Sequence, residues 1–392
     1  MKLYISESKT AEKNIVVNDM ILTKDMPTSA GSKMLDGYMS LFEAQVVTDL
    51  RENGYNVFAK ANTGEMNIDL LGETSYYGAC ADENGNVVSA LAQSIKNKDA
   101  MAGVAQEVNG TNVRAAALSG LTFVKPTYGT VSRFGAIASA CSGETIGVMA
   151  EDAATCAEVL KVISGHDHKD GTSLSDEKCE LALSVNPVKK IAVAKSLLEG
   201  ISEETKQAVE STVEKLRAKG VEVVEIDAKE LSLAKAAWNI LMSAEVCNNV
   251  SRYDGVKYGY RTKNYETIDE LYTNSRTESF GYLLKSTILY GSEALAEDKY
   301  FKVYDKALRI RRVISEYINS VFADCDAILA PACSKMNYTM DEVNADKYIA
   351  YKESMYTAPA SITGLPVVAT NGVQLMGKAF SEGSLLSLAQ TL

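Results

Sequence analysis

The chain reads as an α/β protein, a sheet with helices packed on both of its faces, and three observations predict it. Strand and helix signals alternate from one end to the other. The stretch 190–226 spells a complete strand–helix–strand unit, which implies a parallel pair. No segment rich in Pro, Gly or Ser interrupts the alternation, so residues 1–392 are expected to form one domain.

The first helix is expected over 32–50, where Met39, Phe42, Val46 and Leu50 recur at helical spacing. Asn56–Ala61 reads as a strand, and the alanine-rich stretch 89–108 as a second helix. A third covers 151–164, with Ala153, Cys156, Ala157 and Leu160 on its buried face and Gly165 at its end. A short apolar strand follows at 190–195. Ser202 then caps a helix whose first turn carries Glu203 and Glu204, suited to the partial positive charge of a helix N-terminus. Its apolar stripe is Val209, Val213 and Leu216, Gly220 stops it, and 221–226 is the next strand. The unit lacks a glycine-rich phosphate loop, so it reads as structural. A last long helix spans about 298–322, and 351–356 reads as extended.

With 46% hydrophobic and 23% charged residues the composition is that of an ordinary globular protein. No run of about eighteen apolar residues marks a membrane span, and the first residues lack the order of a signal peptide. Seven scattered cysteines, an odd number without a C-x-x-C pair, point to a reducing cytoplasm and away from disulfides or zinc. The two histidines, His166 and His168, flank Asp167 in a polar loop with no third ligand nearby, so no metal or other cofactor is expected. A net charge of −11 argues against direct binding to a nucleic-acid backbone.

Five stretches carry a more specific signal. They are T-K-D-M-P-T-S-A at 23–30, K-P-T-Y-G-T-V-S-R-F-G at 125–135, I-S-G-H-D-H-K-D-G-T-S at 163–173, S-R-Y-D-G-V-K-Y-G-Y-R-T-K at 251–263 and E-L-Y-T-N-S-R-T-E-S-F-G at 270–281. Together they resemble the amidase signature family, and within it the A subunit of aspartyl/glutamyl-tRNA amidotransferase, from about Ile15 to the C-terminus. The resemblance implies an amidase-signature fold, a large mixed β-sheet core covered by helices. It also implies amide hydrolysis by a lysine, a cis-peptide serine and a nucleophilic serine.

None of those three groups stands at its matching place. The family's I-A-I-K-D-N-I aligns with Ile15-Val16-Val17-Asn18-Asp19-Met20-Ile21, so the lysine position holds Asn18, an amide with no proton affinity to use. Lys24, six residues on, reads as scaffold. Counting back from Lys125, the nucleophile position holds Thr111; a one-residue slip anchored on Arg114 would place Asn112 there. The serine pair falls on Val87 and Val88 from that side, and on Gln93 and Ser94 when counted from Tyr77 and Gly78. No glycine lies between Asn86 and Ala102, where the family's loop needs several. An alcohol is a poor nucleophile without a base, and no base remains.

Two substrate contacts can be placed by the same resemblance. The arginine that holds the glutamine carboxylate matches Arg311, and the acid that holds its ammonium group matches Ser354, with Glu353 beside it. The helices before the lysine strand and the C-terminal hairpin connection, Ala369-Thr370-Asn371, are shortened relative to the family. The expectation is a catalytically inactive, amidase-like protein with a structural, assembly or binding role, forming a homo-oligomer or joining amidotransferase-type subunits. The alternative is an enzyme, which would be a glutamine-hydrolysing A subunit, or else an amidase with a non-standard site. A small-molecule sensor would need Arg311 to keep a carboxylate partner.

Overall fold

A computed structural model describes residues 2–392. Its strands are β1 (Tyr4–Glu7), β2 (Asn14–Asn18), β3 (Asn56–Ala61), β4 (Ala102–Glu107), β5 (Thr122–Lys125), β6 (Thr145–Ala150), β7 (Lys190–Ala194), β8 (Glu222–Ile226), β9 (Ala327–Pro331), β10 (Val367–Thr370) and β11 (Val373–Gly377). All eleven join one mixed sheet in the order β1-β3-β2-β4-β6-β5-β10-β11-β9-β7-β8. The first helices are α1 (Gln45–Glu52), α2 (Ala90–Lys96), α3 (Thr111–Ser119), α4 (Ala153–Ile163), α5 (Asp176–Leu183) and α6 (Glu203–Ala218). The remainder are α7 (Lys229–Val250), α8 (Ile268–Ser279), α9 (Tyr282–Leu295), α10 (Tyr304–Phe322), α11 (Met340–Ala345), α12 (Ile349–Thr363) and α13 (Glu382–Ala389).

Alternation along each strand divides the interior into two apolar layers. Val16, Ala105, Phe123, Ala192 and Ile328 point into one layer, with Leu91 of α2, Val113 of α3, Trp238 of α7 and Ile314 of α10. Their neighbours Ile15, Val104, Val124, Ile191 and Leu329 point into the other, with Val46 of α1, Cys156 of α4, Val209 of α6 and Leu385 of α13. Because central strands are covered on both faces, they read as apolar runs. The β7–α6–β8 unit forms as its sequence predicts: Ser202 accepts from Thr205 N, and Lys190 pairs in parallel with Glu222. The connection at 369–371 is a tight hairpin in which Asn371 and Gly372 take φ of 47° and 83°, the left-handed pair of a type I′ turn. Among the described residues, no helix is long and apolar enough to cross a membrane.

Four expectations need correction. The stretch 32–50 holds one 3-10 turn, Lys33–Leu35, capped by Ser32, and then α1 from Gln45 to Glu52; between them Ser40 Oγ bonds to Phe42 N and O, local bonds that compete with a helix. Met39 and Phe42 are accordingly 48% and 42% exposed. The helix over 89–108 is α2 followed by the central strand β4. Its small residues serve close packing: a Cβ on Gly103 would lie 2.8 Å from Leu91 Cγ. The long helix begins at Tyr304, not near 298. Residues 351–356 are the first half of α12, in spite of Pro359 later in that helix.

Candidate functional site

Asn18 ends β2, where the ladder to β4 runs out after Val17 pairs with Val104. Its side chain replaces the missing rung: Nδ2 donates to Gln106 O and Oδ1 accepts from Gln106 N, both at 3.3 Å. Asn67 Nδ2 at 2.6 Å and Asn112 Nδ2 at 2.9 Å donate to the same carbonyl. Three buried amides thus converge on one oxygen. None of them can take a proton at neutral pH.

Thr111 opens α3, and its hydroxyl donates to Asp69 O at 2.8 Å. The helix N-terminus is already occupied: Glu107 accepts from Gly110 N, from Asn112 N at 2.8 Å and from Val113 N at 3.1 Å. Amides committed to a carboxylate are not free to receive a developing oxyanion. Arg114 is fully buried and donates to Leu70 O, Asp69 O and Asn109 O at 3.1, 3.0 and 2.9 Å, fastening α3 to the turn at 69–70. Burial, with Glu73 beside it, holds the Asp69 carboxyl well above the ordinary carboxylate range. Lys125 is buried with no hydrogen-bond partner for Nζ. Desolvation drives its ammonium down to about 8, against the pull of Glu107 and Glu382.

Val87 donates its N–H to Tyr338 O at 2.8 Å and Val88 donates to Cys80 O at 3.0 Å, while the Val87 side chain joins the apolar layer. In the alternative register Gln93 Nε2 donates to Asn97 Oδ1, and Ser94 Oγ accepts from Tyr4 OH at 2.8 Å. Lys24 is exposed. The structure therefore gathers Asn18 and Asn112 on Gln106 O, and places no lysine or serine in hydrogen-bond contact with Thr111 among the described residues. His166 and His168 gather no metal-binding group either, since no three His, Cys, Asp or Glu side chains do so among the described residues.

The two substrate-contact positions share no hydrogen bond among the described residues. Arg311 Nη2 donates to Ser142 O at 3.5 Å and has no carboxylate partner among the described residues. Ser354 Oγ donates to Tyr351 O and accepts from Asn239 Nδ2, each at 2.8 Å. Glu353, one helical step away, accepts from Ser334 N and Oγ at 2.8 and 2.6 Å. Sequence reasoning missed a cavity of about 440 Å³ between α7, α9 and α12, which Arg311 does not line. No sequence signal marked it, because its walls come from elements far apart in the chain.

Glu65 ties the helix that walls this cavity to the core. It accepts from Ser32 Oγ at 2.6 Å and from Gly281 N, the cap of α9, at 2.8 Å. Burial pushes its carboxyl up to about 7, opposed by those two bonds and by Lys285. The folded state therefore holds the proton more tightly than the unfolded chain, and the associated stability is present at low pH and lost as pH rises through about 7. Urea unfolding is expected to show Glu65→Gln losing less stability than the parent between about pH 5 and pH 8, by on the order of 2 kcal/mol. Parallel profiles would refute the assignment.

A match to the Amidase family spans residues 14–82 and 98–386 and leaves out 83–97, the segment that holds Val87 and α2. The chain is 33% identical over 398 residues to the A subunit of glutamyl-tRNA(Gln) amidotransferase from Neisseria meningitidis, covering 96% of this chain and 82% of that one. It is 32% identical to the same subunit of Caldanaerobacter subterraneus, with 96% and 81% covered. The crystal structure of that subunit from Thermotoga maritima superposes with a TM-score of 0.81 at 26% identity, covering 100% of this chain and 86% of that one.

Proposed function

The chain belongs to the amidase family, and we propose that within it this protein is a noncatalytic member that works by association. Asn18, Val87 and Thr111 are read as the family's lysine, cis-serine and nucleophile positions. The observation that carries the reading is the convergence of Asn18, Asn67 and Asn112 on Gln106 O, a closed amide network where a proton acceptor would be needed. Glu107 on the helix amides and Val87 in the apolar layer support it further.

The partners proposed are a second copy of the chain or the remaining subunits of a glutamyl-tRNA(Gln) amidotransferase, as the names of the relatives suggest. Residues 251–263 and 270–281 keep the amidotransferase pattern although they take no part in the network around Gln106. One domain and a cytoplasmic location complete the proposal, the latter resting on seven cysteines that all remain unpaired. Light scattering between about 1 and 100 µM, with pull-down by the other amidotransferase subunits, tests it. A self-associated or subunit-bound protein is the expected result. A monomer that ignores those subunits would remove the basis for association.

The alternative, a working glutamine-hydrolysing A subunit, is favoured by identity that runs along nearly the whole chain. It requires a base at the Thr111 hydroxyl, which donates instead to the backbone carbonyl of Asp69.

A further inference from the structure

The cavity between α7, α9 and α12 holds polar groups that nothing in the fold uses. Asn239, 6% exposed, spends its amide N–H groups on Lys235 O and Ser354 Oγ, both at 2.8 Å, so its Oδ1 is left as a free acceptor. The carbonyl of Lys235 can only accept, which fixes that orientation. Ser243, 3% exposed, also lines the cavity, and its hydroxyl has no hydrogen-bond partner among the described residues. Neither atom is shut away from space, since neither is among the buried atoms that lack a partner. Both residues line the cavity, where a ligand would meet them.

The walls define the rest of that ligand. Tyr282, Tyr290, Tyr348 and Tyr351 surround the opening with Met242 and Leu283, flat and apolar surfaces suited to a ring. Lys347 is the only charged residue in the lining; it is exposed and has no carboxylate within ion-pair distance among the described residues. No Asp or Glu lines the cavity. A free amino acid would find no carboxylate for its ammonium group there, so the site discriminates against a zwitterion. Its volume, about 440 Å³, lies in the lower part of the range of small-ligand pockets, about 300 to 1,000 Å³.

We propose that this cavity binds an aromatic N-acyl amino acid or a close analogue, a monocarboxylate with one ring and one N–H donor. The carboxylate pairs with Lys347, the N–H donates to Asn239 Oδ1, and the ring lies among the tyrosines. Ser243 supplies the second polar contact. The proposal rests on the noncatalytic reading only in that the ligand is held and not cleaved. Thr111 does not line the cavity, and Asn109 in the wall is fixed by Ile68 O at 2.9 Å and Trp238 Nε1 at 3.1 Å.

Calorimetric titration of the full chain with N-benzoylglycine and N-acetylphenylalanine tests it, with N-benzoylglycinamide as the neutral control and glutamine as the zwitterion. At least one of the two carboxylates is expected to saturate the protein, with the neutral amide and glutamine at least about tenfold weaker. Lys347→Gln, an exposed change that leaves the fold intact, is expected to weaken the carboxylate about tenfold. Ser243→Phe is expected to abolish binding by filling the cavity, with circular dichroism confirming that the variant folds. No saturation by either carboxylate up to about 10 mM overturns the proposal. Equal binding of the neutral amide, or unchanged binding in Lys347→Gln, overturns it as well. Hydrolysis of N-benzoylglycinamide would instead overturn the noncatalytic reading and leave the binding site standing.

Discussion

Arg114→Leu is expected to cost about 3 to 5 kcal/mol, enough to leave the protein marginally folded at room temperature. The guanidinium is fully buried and serves three backbone carbonyls, with Thr357 Oγ1 a further contact at 3.4 Å. Leucine leaves Leu70 O without its donor in a dry interior, strips Asp69 O and Asn109 O of their guanidinium bonds so that Thr111 Oγ1 and Thr357 Oγ1 alone remain on them, and removes the positive charge that favours the ionised form of the buried Asp69. Lysine at the same place is not expected to rescue, because one ammonium cannot reproduce a planar fork that reaches several carbonyls at once. Urea unfolding followed by circular dichroism measures the change. A loss below about 1 kcal/mol would mean that Arg114 is not the fastening of α3.

The double variant Asn18→Lys, Thr111→Ser restores two of the three family groups and is expected to gain no activity. A lysine at 18 would be buried at the end of β2 against Gln106 O, among the amides of Asn67 and Asn112. It exceeds the space that an asparagine fills, and its charge finds no carboxylate in that network, so a loss of about 3 kcal/mol or more is expected. The relay hydroxyl is still missing at Val87, and Glu107 still holds the helix amides. Stability and ammonia release are measured on the same preparation. A stable variant that releases ammonia from glutamine would contradict this, showing that the two substitutions suffice without the relay hydroxyl.

The strands and the helix of the 190–226 unit were legible because each rests on local chemistry: Ser202 as cap, a three-point apolar stripe and Gly220 as stop. β4 was not, because alanine and glycine serve a close approach to Leu91 there, and the partner lies in another element. α12 was hidden by Pro359 and by Thr357, residues that locally disfavour a helix and are overridden by packing on α7. Asn18 and Thr111 were placed by resemblance to the family's motifs. Their partners were not, since Gln106 is 88 residues from Asn18 and Asp69 is 42 from Thr111. The cavity was illegible for the same reason: three helices distant in sequence supply its walls.

The reading as a noncatalytic family member is tested most directly by ammonia release from glutamine. Purified protein would be assayed alone and with the other subunits of a glutamyl-tRNA(Gln) amidotransferase, beside a catalytically active relative as reference. The prediction is release no faster than in protein-free buffer under both conditions, unchanged by Thr111→Ala. Release above that background which disappears in Thr111→Ala would contradict it and make Thr111 a nucleophile.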